Sequence, residues 1–568
     1  MKQTILMSFT LWFLMRKSGW FALASILCFS FLISTLPLYE YSLWGLDCGE
    51  YFYYTQQWVE SEGAYLSIDG WATAYPFFPG MFIVSGSFHI LSGVDIFTSS
   101  LFVPVLINAL APLFLFLIVH NVMDDWRPAL FSSLFFTTLP PIIYAYSQPR
   151  PETIGFFLFL FILSMSVTTL KKHKKTIGPI IFAMLALVFT HHLSSYFLIL
   201  FYLGGIFVSK LWKKRYWPSD NIRTYLLILF LIFVFLYWII YATPFFGRRI
   251  KNALIFPSYT IVLFPFLFIV ILELLSRFRK KYDIVVPINL YKENFKSFLL
   301  IASVTLMIVV SILVIIAMGT FPVREIELGT TILHYLPIVF LGLFAVSARK
   351  IIRALEEGPT FIGWLIFILL SMTAGVIFDS SSLLPMRQLT FLLIIVSIFF
   401  GMGLYHFSTV IFNPMEKKSK TFALGILIIL LISILVPLSY PSQERAGGFI
   451  EGVESEDMEG AFWAKSSLTG RISADHRISG ALFSVSYRNV TWRDGYDMYF
   501  SSNFSRAERD IIKNNVSYLM WDEEMQKGAA IELGRNPQPL DPDLLEKYHE
   551  RFFLVYSSEE VSIYAVNL

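Results

Sequence analysis

Apolar runs of about twenty residues, parted by short polar or basic breaks, recur from Trp20 to about residue 440 of this 568-residue chain. A run of that length crosses roughly 30 Å of hydrocarbon as a helix. The short alternating segments of a closed barrel are missing. The pattern therefore predicts membrane-spanning helices, which satisfy their own backbone in lipid. Thirteen spans are expected, at about 20–40, 98–120, 128–146, 154–170, 177–190, 196–210, 222–243, 257–275, 298–318, 331–348, 360–378, 389–410 and 421–440. The first run is long for a signal-peptide core and no small-x-small cleavage site follows it, so it reads as a retained span.

Composition agrees with this reading. Hydrophobic residues make up 56% of the chain, charged residues 15%, and the mean hydropathy is +0.64. Charge sets the orientation. Basic clusters stand at 171–175, 210–215, 277–281, 349–353 and 417–420, and together hold 18 of the 44 Lys and Arg residues. Placing them all inside follows the positive-inside trend and leaves everything after Pro441 outside. Cys28 and Cys48 are separated by about 20 residues, or roughly 30 Å of helix, too far for a disulfide.

The tail from 441 to 568 is a different kind of polymer, with 21 acidic against 13 basic residues. It reads as a small external α/β domain following the 1–440 membrane domain. Within it Ala507–Asn514 reads as helix, Val516–Trp521 as strand and Phe552–Val566 as a closing hairpin. About 120 residues are enough for a core of its own. Three sequons, at Asn489, Asn503 and Asn515, suit an external position.

The first outer loop, about 41–97, is too interrupted to be a simple span. An amphipathic helix is expected from Asp47 to about Glu60, then a Gly/Trp-rich turn, then Phe77-Phe78 framed by Pro76 and Pro79. A short apolar helix from about Gly80 to Leu91 lies in or along the interface. An acid past the first span, an aromatic amphipathic segment, Gly-x-Trp, Tyr-Pro-x-x-Pro and an apolar segment ending in Ser-Gly follow in that order. This order resembles the first outer loop of the C-type glycosyltransferase superfamily, nearest its protein mannosyltransferase and aminoarabinose transferase branch. The resemblance extends to Ser147-Gln148-Pro149-Arg150-Pro151-Glu152, where that family places a second acid. Asp47 is followed by Cys48 where family members often carry adjacent Asp-Glu. The Trp-Trp-Asp-Tyr-Gly of oligosaccharyltransferases has only Trp492-Arg493-Asp494-Gly495-Tyr496 as a counterpart.

The resemblance implies an inverting transfer of a sugar from a dolichyl- or undecaprenyl-phosphate donor to a glycan, lipid or protein acceptor, with no nucleic acid involved. Such transfer needs a base for the acceptor hydroxyl and cations for the leaving phosphate. Asp47 is the expected base, or else the N-cap of the helix in a capping box with Glu50. Glu152 assists it, holds a divalent cation with it, or is a helix-start acid favoured by the helix dipole. Arg387, Arg248 and Arg249 are the expected phosphate ligands, with headgroup contact as the other reading of Arg248 and Arg249. Glu50, His191 and His192 are candidates for acceptor or cavity contacts, and the histidines read equally well as a hydrogen-bonded structural pair. Asp475-His476-Arg477 reads as the structural start of a strand–helix unit. Rival readings are an oligosaccharyltransferase-like enzyme and a lipid or solute transporter. A transporter of this size is expected to show inverted repeats, and none is visible.

Overall fold

The computed structural model describes residues 2–63, 66, 75–168, 177–212, 218–242, 348–377, 385–411, 451–492, 496–501, 503–529 and 539–566. The expected spans at 257–275, 298–318 and 421–440, and nearly all of that at 331–348, lie outside them. So do Arg248, Arg249 and the proposed boundary at 441.

The membrane part opens with α1 (Lys2–Thr35) and a single turn, α2 (Pro37–Glu40). A two-residue strand, β1 (Leu43–Trp44), leads to α3 (Cys48–Glu60) and α4 (Gly80–Ser92), as the loop pattern predicted. Next come α5 (Ile96–Asn108), α6 (Ala111–Met123), α7 (Trp126–Thr138), α8 (Pro140–Tyr146) and α9 (Pro151–Thr168). They are followed by α10 (Ile177–Thr190), α11 (His192–Trp212) and α12 (Pro218–Phe235), the last continued by a π-helical turn to Tyr241. After the undescribed stretch stand α13 (Arg349–Ala354), α14 (Gly358–Ile377) and α15 (Pro385–Ile411).

Among the described residues four helices are long and apolar enough to span a bilayer, one of them the continuous Ile96–Met123. Shorter apolar helices occupy Gly19–Thr35, Pro151–Val167, Ile177–Thr190 and Gly358–Thr373. The expected straight span at 128–146 is two helices, α7 and α8, bent by 63°. Proline at 140 disfavours helical backbone at the residue before it, and Leu139 is accordingly extended (φ −75°, ψ 119°). One continuous apolar core runs through these helices. A buried ion pair closes α12 on α14, with Arg223 Nη2 2.6 Å from Glu357. The same guanidinium donates to Thr360 Oγ1 (3.0 Å) and to the carbonyl of Ser166 (3.2 Å), so the buried charge is both paired and hydrogen-bonded.

The C-terminal unit comprises β2 (Gly452–Val453), α16 (Ser455–Ser467), β3 (Ile472–Ser473), α17 (His476–Ser484), β4 (Val490–Thr491), α18 (Tyr496–Phe500) and α19 (Phe504–Lys513). It continues through β5 (Tyr518–Asp522), α20 (Pro542–Arg551), β6 (Phe553–Ser557) and β7 (Val561–Ala565). Five strands form one mixed sheet in the order β4-β3-β5-β7-β6. Strands β3, β4 and β5 are parallel, and the β6–β7 hairpin closes the edge. The helix expected at 507–514, the strand at 516–521 and the hairpin at 552–566 are all present, each within a few residues.

This unit is bound to the outer loop in two places. Strand β2 pairs antiparallel with β1, Leu43 opposite Val453 and Trp44 opposite Gly452. Helix α17 crosses α3 backbone to backbone: a Cβ on Gly49 would lie 1.9 Å from the carbonyl oxygen of Gly480. Leu43 and Cys48 of the loop and Leu101 of α5 belong to the same apolar core as Ile472, Ile478 and Leu519.

Candidate active site

The crossing of α3 and α17 sets the position of Asp47. The structure corrects the capping-box reading of this residue. Asp47 precedes α3, but its side chain makes no cap hydrogen bond. Its carbonyl accepts the first helical bond, from Tyr51 N at 3.1 Å. Its carboxylate turns away to other partners. Oδ1 lies 3.1 Å from His476 Nε2 and Oδ2 accepts from the Tyr51 hydroxyl at 3.4 Å. A carboxylate only accepts, so His476 carries its hydrogen on Nε2. Burial, then neighbouring Tyr75 and Asp47, raise the Tyr51 pKa well above that of an ordinary phenol, so it stays a donor. The Asp47 side chain is 30% exposed, unlike the 3% of His476, and the opening faces a cavity.

That cavity has a volume of about 150 Å³. Its walls come from four separate stretches of chain. The loop supplies Trp44 to Cys48 and Tyr51, the α8–α9 turn supplies Gln148, Pro149 and Arg150, and α15 supplies Arg387. Glu451 closes it from the C-terminal side. Local sequence explains the placement. Gly45 takes φ +110°, a conformation other residues resist, and so turns the chain from β1 toward Asp47. A side chain at Gly45 would also meet Gln148. Gln148 donates to Glu451 and accepts from Arg150, while Trp44 Nε1 donates to Ser147 Oγ at 2.9 Å. The α8–α9 turn is thereby pinned to both the loop and the C-terminal unit. Pro151 opens α9 without needing a hydrogen-bond partner for its nitrogen.

Glu152, in the first turn of α9, is 5% exposed and lies 3.6 Å from Arg387 Nη1. Arg387 therefore joins the second acid to the cavity wall. The cavity gathers two carboxylates, those of Asp47 and Glu451, beside two guanidiniums, those of Arg150 and Arg387. Arg150 lies within the stretch quoted for its resemblance, yet the sequence alone gave no reason to single it out.

The remaining candidates sit elsewhere. Glu50 is fully buried, accepts from the Tyr54 hydroxyl at 3.2 Å and is not among the residues lining the cavity. His191 is 1% exposed, and its Nδ1 accepts from Ser194 N at 3.2 Å, capping α11. The ring of His192 packs against Phe78, centroids 5.2 Å apart. His476 is the residue the sequence reading assigned only to local structure. Its neighbour Arg477 is buried against Asp457 (3.4 Å), Asp475 (3.7 Å) and Asp522, which does make it a structural centre.

A divalent cation shared by Asp47 and Glu152 does not fit the donors as placed. His476 and Tyr51 hold the first carboxylate, and Arg387 faces the second. Among the described residues the one trio close enough to share an ion is Glu454, Glu456 and Glu560, none of which lines the cavity.

No protein-family model matches the sequence, and no curated protein matches it. Solved structures do resemble the fold. The oligosaccharyltransferase of Archaeoglobus fulgidus in its apo form superposes with a TM-score of 0.59 at 15% identity, covering 95% of this chain and 74% of that one. The oligosaccharyltransferase AglB from the same organism, in complex with an inhibitory peptide and a dolichol-phosphate, gives 0.55 at 14% identity over the same shares. ArnT from Cupriavidus metallidurans aligns over 97% of this chain and 98% of its own at 12% identity, with a TM-score of 0.37.

Proposed function

We propose that this chain, whose fold is that of the C-type glycosyltransferases, is a multi-pass membrane enzyme that moves a sugar from a polyprenyl-phosphate donor onto an acceptor hydroxyl. The cavity and the C-terminal unit lie on the outer face. The observation that carries the reading is the convergence of Asp47, Arg150 and Arg387 on one cavity from segments more than a hundred residues apart. A dolichol-phosphate bound to a protein of the same fold supports the choice of donor.

In this reading Asp47 accepts the proton of the acceptor hydroxyl. The oxygen attacks the anomeric carbon, a C–O bond forms, and the bond to the phosphate oxygen breaks with its electron pair. A single displacement inverts the anomeric centre. The negative charge grows on the leaving phosphate, where Arg387 and Arg150 stand as fixed donors. Planar guanidinium suits phosphate oxygens better than a point charge does. Arg248 and Arg249 remain further proposed phosphate ligands. Glu152 holds Arg387 in place. At about 150 Å³ the cavity is smaller than a pocket for a whole ligand, so it houses the reacting centre while the isoprenoid chain stays in lipid.

The test is donor cleavage by the purified full-length chain. The panel comprises radiolabelled dolichyl-phosphate mannose, dolichyl-phosphate glucose, undecaprenyl-phosphate aminoarabinose and a lipid-pyrophosphate oligosaccharide, each with a detergent extract of membranes as acceptor source. Release of polyprenyl monophosphate is expected. Release of polyprenyl pyrophosphate instead would favour an oligosaccharyltransferase, and intact donors throughout would leave a carrier. Asp47→Asn keeps shape and removes the base, so turnover is expected to fall roughly 10²-fold or more. Unchanged turnover in Asp47→Asn would remove it from this role.

A further inference from the structure

We infer that His476, on the C-terminal unit, is a positioning residue of the transfer site that aims the Asp47 carboxylate at the cavity. The inference rests on the reading of Asp47 as the base, and it makes the C-terminal unit part of the active site.

The placement of His476 is over-determined. Strands β3 and β4 run parallel with Ser473 opposite Thr491, and Ala474 N donates to the Thr491 carbonyl at 3.2 Å. The two chains therefore leave the sheet side by side, putting His476 next to Trp492. The rings stack with centroids 3.9 Å apart and planes 5° from parallel. Asp475 caps α17, its Oδ1 accepting from Ile478 N at 2.8 Å, which makes His476 the first helical residue. One turn on, Gly480 meets Gly49 and leaves no room for the helices to slide. With the ring fixed in plane by Trp492 and along the helix by the crossing, Nε2 falls 3.1 Å from Asp47 Oδ1.

A base that must take a proton at one oxygen needs that oxygen turned toward the substrate. Asp47 has a soft side-chain torsion and is held from two sides, by His476 on Oδ1 and Tyr51 on Oδ2. Neither of these two donors is one of the cavity's arginines. Misplacement of a reacting group by about 1 Å can cost as much as 10²-fold in rate. A hydrogen bond across two units is an economical way to prevent it.

A bond that merely fastens the unit to the loop predicts something different from a bond that aims a base, and two variants separate them. His476→Phe keeps a flat ring on Trp492 and removes the donor. His476→Gln keeps an N–H donor and gives up the stack. Both are compared with wild type, as full-length protein, on the panel member that wild type turns over. If His476 positions Asp47, His476→Phe loses about tenfold or more in kcat with donor KM within about twofold and melting unchanged. His476→Gln then recovers much of the lost kcat even though it melts lower. If His476 is only a fastener, the order reverses: His476→Phe, with its stack intact, turns over like wild type, and the inference fails. It fails equally if His476→Gln is no faster than His476→Phe. Asp47→Asn run alongside tells the two failures apart. An inactive Asp47→Asn with an active His476→Phe sinks this inference alone, whereas an active Asp47→Asn sinks the base itself.

Discussion

Arg387 shows how one residue can serve two charges. Its guanidinium is 3.6 Å from Glu152 on one side and on the wall of the Asp47 cavity on the other. The acid attracts one end of the fork as an ion pair, and in the proposed reading the donors of the fork meet the phosphate. Arg387→Lys keeps the charge but loses the fork, so kcat/KM for the donor is expected to fall about tenfold or more, and further in Arg387→Ala. Glu152→Gln leaves the arginine in place without its anchor, so a milder loss is expected, weighted toward KM. Equal kinetics in all three variants would leave the phosphate to Arg150, Arg248 and Arg249. At this scale the sequence was partly legible. Asp47 stood out as the first acid after a span, and Arg387 as a cation at a helix start. Arg150 and His476 did not stand out, because nothing local marks them. His476 meets its partner across 429 residues of chain, through a helix crossing that no spacing rule describes.

The elements that build the site are short, and this is why some were hidden. Strands β1 and β2 have two residues each, too few to carry an alternating pattern, yet they lace the loop to the C-terminal unit. The break between α7 and α8 was visible in Pro140-Pro141, but the apolar run continues across it and outweighed the prolines. Helices α3 and α4 were legible because their amphipathic and apolar stretches have clear ends. The crossing of α3 with α17 was not, since two glycines in separate helices give no signal until they meet. Alanine is a better helix former than glycine by about 1 kcal/mol, so a substitution here would stabilise each helix taken alone. Gly49→Ala nevertheless places Cβ 1.9 Å from the Gly480 carbonyl oxygen, and the helices must separate. Turnover is expected to fall by one to two orders of magnitude, roughly the cost of misplacing the base. Protease cleavage between the loop and the C-terminal unit is expected to quicken. Gly480→Ala meets the Leu46 carbonyl oxygen at 3.0 Å, a tight contact and not a collision, so its loss is expected to be smaller. The opposite ranking in a paired turnover and proteolysis assay would show that this crossing does not hold Asp47.

For the whole molecule, the division of charge makes the strongest claim. The first 440 residues hold 31 basic and 20 acidic residues, while the tail holds 13 and 21. The basic excess gathers between apolar runs, and the acidic part folds into a sheet unit packed on the first loop. In the proposed orientation, with Lys and Arg retained in the cytoplasm, Asp47 lies beyond the outer end of α1, His476 on the same side, and Arg387 at the opening of a span on that side. In that proposed orientation a donor whose sugar is presented outside reaches this cavity, while a nucleotide sugar in the cytoplasm does not. The orientation can be measured in a background where Cys28 is replaced by Ser, since Cys48 is buried. Cysteine introduced at the exposed Glu559 is expected to react with an impermeant maleimide in intact cells. Cysteine at Lys174 is expected to react only after the membrane is opened. Reaction of Lys174→Cys in sealed cells, with Glu559→Cys protected, would turn the molecule over, place the cavity in the cytoplasm and remove the reason for a polyprenyl-phosphate donor.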